Sequence, residues 1–254
     1  MRIVRWPTKR AGFFPVLYGV ILISLLNVFL GGCGSGHTSL TTDDIAANNR
    51  GVGLMGRFAY EDAQAVFADL VQHHPDWLDA RVNLAIATLN RQLTGDEEAA
   101  LAILGQVLQV DAHHLRAHYC RGLLLLHQGR FDDALTHLRV VADTDPSDAY
   151  AHYFIAQVLM QQQHLDEAIR HYQSALTSDP YLRSAYYGAF QAFQHAGRND
   201  EAKTMLEEFQ QLLPNPQAHL AELKYTRMGP KANAATVDLP DTPTARIVPG
   251  PLFL

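Results

Sequence analysis

The middle of the chain is a run of short amphipathic segments in which the pattern of apolar and turn-forming residues repeats about every 34 positions. Pro146, Pro180 and Pro214 each close one unit, and each of them follows the one before it by a single period. Pro75 precedes Pro146 by two periods and three further positions, and Ala112 stands where the intervening proline would fall. No single unit can bury its own apolar face, so we expect neighbouring units to stack as an all-α array.

Each unit also places a small residue four positions before a large one. The small side chains let two helices approach closely, and the large side chains fill the space that this creates. The small residues are Ala63, Ala100, Ala134, Ala168 and Ala202, and the large ones are Phe67, Leu104, Leu138, Tyr172 and Leu206. The period and the residue types therefore indicate the same architecture independently.

This pattern resembles the tetratricopeptide repeat (TPR), in which a unit of about 34 residues forms two helices. The third unit shows the likeness best, with Gly122 and Leu125, the turn Gly129-Arg130-Phe131, Ala134 with Leu138, and Pro146. The resemblance implies a right-handed superhelical solenoid of about five helix-turn-helix repeats within residues 44–228. The predicted repeats span residues 44–77, 78–114, 115–148, 149–182 and 183–216.

The residues after the last repeat predict a cap and a tail. The segment PQAHLAELKYTR is typical of an amphipathic helix, and we expect a capping helix over residues 217–228. Leu220, Leu223 and Met228 would cover the last repeat, and Gly229-Pro230 would end the helix. Residues 229–254 contain several prolines and no periodicity, which predicts an extended tail.

The N-terminus has the pattern of a secretory signal. Residues 1–10 carry four basic residues and no acidic one, and residues 11–30 carry no charge. The following segment Leu30-Gly31-Gly32-Cys33 resembles the lipobox of bacterial lipoproteins. That resemblance implies a signal peptide over residues 1–32, with Cys33 as the lipid-bearing first mature residue. Residues 33–43 then form a flexible tether.

An alternative is that residues 11–30 remain as a helix spanning the inner membrane. Both interpretations place the repeats outside the cytoplasm, in the bacterial cell envelope. In lipoproteins of bacteria with two membranes, Asp after the lipidated Cys commonly marks inner-membrane retention. Here the residue is Gly34, so the resemblance favours the outer membrane, with the protein facing the periplasm.

TPR arrays bind through the concave face that the first helix of each repeat lines, and the resemblance identifies candidate residues there. Three tyrosines recur at the repeat period. Tyrosine offers apolar area with a hydroxyl, and glutamine can pair with a peptide main chain, which favours a groove for a peptide or helix. Packing of the tyrosines between helices is the alternative. The candidates are Tyr119, Tyr153, Tyr187, Gln157, Gln191, Arg116, Tyr150 and Arg183.

Other functions find little support. The net charge is −6, and a chain without the basic N-terminus carries −10, which disfavours nucleic-acid binding. The sequence contains no catalytic or cofactor motif, so we expect neither an enzyme nor a cofactor. His114 and His118 lie four positions apart on one helix face, but His118 recurs one repeat later as His152, which indicates repeat architecture rather than a metal site. Cys120 is expected to be a buried free thiol.

The sequence thus predicts a membrane-anchored module that binds other proteins or peptides, with self-association possible. A second hypothesis comes from the segment L-K-Y-T-R-M-G-P-K-A after the repeats. With the lipobox and the array, it resembles the opening of large bacterial proteins with FG-GAP and ASPIC/UnbV domains. On that hypothesis the chain is the anchor or scaffold segment of such a surface protein, stand-alone or truncated.

Overall fold

A computed structural model describes residues 39–238 of the chain. This part contains ten α-helices and one 3₁₀ turn at Pro230–Ala232, with a single isolated bridge between residues 182 and 219. The helices are α1 (Thr42–Gly56), α2 (Tyr60–His73), α3 (Leu78–Arg91), α4 (Asp96–Val110), α5 (Leu115–His127), α6 (Phe131–Thr144), α7 (Ala149–Gln161), α8 (Leu165–Ser178), α9 (Arg183–His195) and α10 (Asn199–Gln211).

The helices form five pairs, which confirms the predicted all-α class and the number of repeats. Each helix packs on the next along the chain, and the first helix of each pair also contacts the first helix of the next pair. The five first helices (α1, α3, α5, α7 and α9) therefore line one continuous face, which we call the concave groove. The predicted signal peptide, Cys33 and the membrane-spanning alternative lie outside the described residues.

Helix starts and close contacts follow from local chemistry. Glu97 and Glu98 lie in the first turn of α4, where negative charge complements the helix dipole. Gly122 of α5 lies against Leu138 of α6, and a Cβ at residue 122 would stand 2.7 Å from Leu138 Cγ. A larger residue at this position would push the two helices apart.

The tether ends two residues earlier than predicted. Thr41 caps α1, because its Oγ1 accepts from the Asp44 amide at 3.2 Å while Asp44 Oδ2 accepts from the Thr41 amide at 2.8 Å. Thr42 and Asp43 are consequently helical. Within residues 39–238, no helix is long and apolar enough to cross a bilayer.

The predicted capping helix over residues 217–228 is wrong. This segment has turns and extended backbone, and it folds back into the concave groove. Ala221, Tyr225 and Met228 are buried, while Leu223 of the expected apolar stripe is exposed. The groove offers the main chain hydrogen-bond partners that a local helix would otherwise supply. Residues 229–238 are extended apart from the 3₁₀ turn, and residues 239–254 lie outside the described part.

Candidate functional site in the concave groove

The concave groove is filled by residues 219–238, which we call the strap. The strap enters at α9, where the His219 amide donates to Tyr181 O at 3.1 Å and His219 O accepts from the Arg183 amide at 2.9 Å. It reaches α1 at Val237. The strap therefore runs from the last repeat to the first, against the order of the repeats, and crosses all five first helices.

Two asparagines hold the far end of the strap by its main chain. Asn83 Nδ2 donates to Ala235 O at 2.9 Å, and Asn83 Oδ1 accepts from the Ala235 amide at 2.9 Å. Asn49 makes the same pair of bonds with Val237, at 2.8 and 2.9 Å. A side-chain amide presents one donor and one acceptor side by side, as a neighbouring β-strand does. These hydrogen bonds involve main-chain atoms of the strap and none of its side chains.

Asn83 uses all of its hydrogen-bonding capacity. Its Nδ2 also donates to Asn48 Oδ1 at 3.0 Å, and its Oδ1 also accepts from Arg116 Nη2 at 2.8 Å. Arg116 in turn donates to Asn233 O at 2.9 Å and to Asp79 Oδ1 at 2.6 Å. Asn48 and Asn83 are fully buried, so their polar atoms depend on this network for partners.

Two of the predicted tyrosines hold the middle of the strap. The Tyr119 hydroxyl donates to Met228 O, and the Tyr153 hydroxyl donates to Ala221 O at 3.4 Å. Burial raises the pKa of Tyr119 well above its usual value and raises that of Tyr153 to about 12. Both hydroxyls therefore keep their protons at physiological pH and act as donors.

Ser184 and Gln157 complete this part of the groove. Ser184 Oγ accepts from the Ala221 amide at 3.0 Å and donates to Ala221 O at 3.2 Å. Gln157 Nε2 donates to Tyr153 Oη at 3.1 Å and to Tyr172 Oη at 3.2 Å. Gln157 thus orients the tyrosine and does not itself contact the strap main chain through these bonds.

A lysine of the strap binds two carboxylates between α6 and α7. Lys231 Nζ lies 2.7 Å from Asp145 Oδ2 and 2.7 Å from Asp148 Oδ2. Asp148 also caps α7, since its Oδ1 accepts from the Ala151 amide at 2.9 Å. The hydrogen bond from Lys231 is the main cause of the lowered pKa of Asp145. Burial opposes the charge of Lys231, but the bonds to both carboxylates outweigh it and raise the lysine pKa.

Gly229 passes through a narrow point of the groove between Tyr119 and Tyr150. A Cβ on this residue would lie 2.7 Å from Tyr119 Oη and 2.8 Å from Tyr150 Cγ, and its φ is +92°. Both the space and the backbone conformation require glycine. Tyr150 also stacks on the ring of His219, with centroids 6.1 Å apart.

The other predicted groove residues contribute less directly. The Arg183 guanidinium lies over the ring of Phe209, 5.4 Å from its centroid. Tyr187 packs against Phe190 and Phe209 and remains 44% exposed. Gln191 is half-buried on α9. Five of the predicted residues therefore contact the strap, one of them through its main chain. They are Arg116, Tyr119, Tyr150, Tyr153 and, through its main chain, Arg183. Gln157 hydrogen-bonds Tyr153.

Sequence reasoning missed the asparagines and the acidic pair. Asn49 and Asn83 are separated by one repeat period, so they occupy equivalent positions of the first two repeats. That spacing was a signal for shared function. Asp145 and Asp148 gave no such signal, because Asp is common in the turn that precedes a helix.

Cys120 is a free, buried thiol, as expected. Its Sγ donates to Lys231 O at 3.6 Å, and burial raises its pKa to about 11. His118 pairs with His137 through their Nδ1 atoms at 2.8 Å, and His152 pairs with His171 in the same way at 2.9 Å. The two histidine pairs are equivalent in successive repeats.

Comparisons with known proteins agree with this architecture. Two family models described as tetratricopeptide repeat match the chain, one over residues 94–149 and 121–182 and the other over residues 159–224. Together these matches run from residue 94 to residue 224, just over half of the chain. A search of curated protein sequences gives no match.

Several solved structures share the fold. The MamA RS-1 ArsTM double mutant superposes with a TM-score of 0.60 at 22% identity, covering 67% of this chain and 94% of that chain. A crystal structure of MamA gives 0.58 at 17% identity, with coverages of 68% and 93%. MamA from Desulfovibrio magneticus RS-1, from residue 41 onward, gives 0.57 at 24% identity, with coverages of 67% and 94%. The repeats and this fold support a scaffold for protein–protein interaction, and the chain belongs to the tetratricopeptide repeat family.

Proposed function

We propose that this chain is a lipid-anchored scaffold of the bacterial envelope that binds an extended segment of a partner protein in its concave groove. The observation that carries the proposal is the pairing of the Asn49 and Asn83 side-chain amides with a peptide main chain. A helix satisfies its own backbone groups, so such side-chain pairing favours an extended ligand.

The groove combines general and selective contacts. The asparagines, Tyr119 and Ser184 contact main-chain atoms, which every polypeptide offers. Each such hydrogen bond contributes about 1 kcal/mol net, so several are needed for useful affinity. Selectivity comes from the narrow point beside Tyr119 and from the carboxylates of Asp145 and Asp148, which favour a cation.

The proposed anchor is the lipid on Cys33. The L-G-G-C sequence after an uncharged segment supports this assignment. Two or three acyl chains, at about 0.8 kcal/mol per buried CH₂, would anchor the protein stably to a bilayer. We place it on the outer membrane facing the periplasm, with an inner-membrane anchor through residues 11–30 as the alternative. The proposal assigns the chain no catalytic role.

Photo-crosslinking of the full chain in its membrane fraction tests both parts. A photoreactive phenylalanine at Tyr150 faces the groove, and one at the exposed Gln173 of α8 is the matched control. We expect adducts with another protein from position 150 that position 173 does not give. Mass spectrometry should find an acylated Cys33 at the mature N-terminus. The same adducts from both positions would contradict groove binding, and an unmodified Cys33 would contradict the anchor.

The kinship with FG-GAP and ASPIC/UnbV proteins stays a prediction. A reading frame that continues from this chain into propeller repeats would support it.

A further inference from the structure

We propose that the strap is a built-in, displaceable ligand that blocks the groove, and that partner segments resemble it: an extended polypeptide with a glycine followed two residues later by a lysine. This inference rests on the proposed function, because it concerns the same groove. It adds an autoinhibited state and the chemistry of the partner.

The helical array has direct contacts of its own. Helices α1 to α10 pack on one another in sequence, and the strap adds Ala221, Tyr225 and Met228 to the core that they form. The strap has no helix longer than the 3₁₀ turn at Pro230–Ala232. Many of its backbone hydrogen bonds go to groove side chains, including Asn49, Asn83, Tyr119 and Ser184. On displacement, water would replace the strap at these polar atoms while the helices stay paired.

The groove around the strap contains buried polar side chains that packing between the helices does not explain. Asn48 and Asn83 are fully buried and complete their hydrogen bonds with Ala235. Buried amides without such partners would cost about 1–3 kcal/mol each. Their presence is explained if the groove is built to hold a main chain.

Gly229 and Lys231 set the register of the occupant. Gly229 alone fits between Tyr119 and Tyr150 at a φ of +92°. Two residues later, the Lys231 ammonium reaches both Asp145 and Asp148 at 2.7 Å. A partner segment that lacks the glycine cannot pass the narrow point, and one that lacks the lysine leaves two carboxylates without their cation.

Covalent connection gives the strap an advantage over any separate partner. A segment joined by a short linker acts at an effective concentration of about the millimolar range. A partner segment with similar contacts must therefore be abundant, or bind additional surface, before it replaces the strap. When no partner is bound, the strap therefore occupies the groove.

The test uses the full chain with Gly229→Ala, which disfavours the strap and leaves every groove side chain unchanged. The probe is a fluorescent peptide of residues 217–238, and anisotropy measures its binding. We expect the peptide to bind Gly229→Ala about tenfold or more tightly than it binds the unmodified chain. Lys224→Ala, at an exposed strap residue, is the matched control and should behave like the unmodified chain.

Peptide variants test the required chemistry. Peptides with Gly229→Ala or Lys231→Ala should bind the released groove about tenfold more weakly than the natural peptide. Lys231→Glu in the full chain is a second way to release the strap, because it places a third negative charge beside Asp145 and Asp148. It guards against a folding defect in Gly229→Ala, which circular dichroism would reveal.

Several results would overturn the inference. One is a Gly229→Ala chain in which trypsin cleaves after Lys231 no faster than in the unmodified chain. Another is a released groove that does not bind the peptide, or that binds the lysine-free peptide equally well. These outcomes are independent of the crosslinking at position 150, so groove binding by partners can survive failure of this inference.

Discussion

The side-chain amide of Asn83 on α3 pairs with the main chain of Ala235, 152 residues further along the chain, through two hydrogen bonds of 2.9 Å. The contact ties the C-terminal strap to the second repeat. In the structure the concave groove thus holds a polypeptide main chain, which belongs to the same chain.

Replacing Asn83 should loosen the far end of the strap. Asn83→Ala removes both bonds to Ala235 and the bonds to Arg116 and Asn48. We expect a cost of about 2 kcal/mol, which is about thirtyfold in the open population. Trypsin cleavage after Lys231 should accelerate accordingly. The control is Asn90→Ala on the same helix, whose amide bonds only Ile86 O among the described contacts. Equal cleavage of both variants would contradict the role of Asn83.

The two histidine pairs predict lower stability in acid. His137 Nε2 accepts from Arg121 Nε at 3.0 Å, and its Nδ1 contacts His118, so protonation would disrupt the pair. Burial, with the neighbouring His118 and Arg121, lowers the pKa of His137 to about 4, although Asp133 opposes the shift. Burial and the neighbouring His152 lower the pKa of His171 likewise to about 4.

The sign of the pH effect follows from these values. His137 and His171 bind protons near pH 6.5 in the unfolded chain and near pH 4 in the folded chain. Their full contribution to the free energy of unfolding is therefore present above pH 6.5 and is lost as the pH falls from 6.5 to 4. Because both rings are half-buried, we expect a loss of about 1 kcal/mol for each. Urea denaturation across this range measures it. His137→Gln with His171→Gln should flatten the profile, whereas the exposed His195→Gln should leave it unchanged.

A methyl group at residue 122 should destabilise the third repeat. Gly122→Ala places a Cβ 2.7 Å from Leu138 Cγ, and such overpacking costs about 1–3 kcal/mol. The matched control is Gly56→Ala near the end of α1, where a Cβ would meet no atom within 4 Å. Thermal denaturation should show a lower Tm only for Gly122→Ala. An unchanged Tm would mean that the two helices are less tightly packed than described.

Cys120 should report whether the strap is docked. Its pKa of about 11 and its burial beneath Lys231 predict slow alkylation by iodoacetamide at pH 7.5. Gly229→Ala should accelerate alkylation by about tenfold or more, because the thiol becomes accessible. Peptide-level mass spectrometry distinguishes Cys120 from Cys33. Rapid alkylation of the unmodified chain would show that the strap does not cover this site.

The sequence predicted the repeats because their signals are local. Ala134 and Leu138 lie four positions apart on one helix, and the same spacing recurs in each unit. The strap could not be predicted in this way. Leu220 and Leu223 have a spacing typical of a helix, and no local pattern shows that Asn83 will offer its amide to Ala235. Among the predicted groove residues, Tyr119 and Tyr187 share a repeat position, yet only Tyr119 hydrogen-bonds the strap, because the strap joins the groove at His219 and leads toward the first repeat.

Hydrogen–deuterium exchange of the full chain tests the central claim most directly. The amides of Ala221, Ala235 and Val237 donate to Ser184, Asn83 and Asn49. If the strap fills the groove in solution, these amides exchange slowly, about a hundredfold or more below the rate of an unstructured peptide. Exchange of all three at the unstructured rate, with α5 and α7 still protected, would contradict the account.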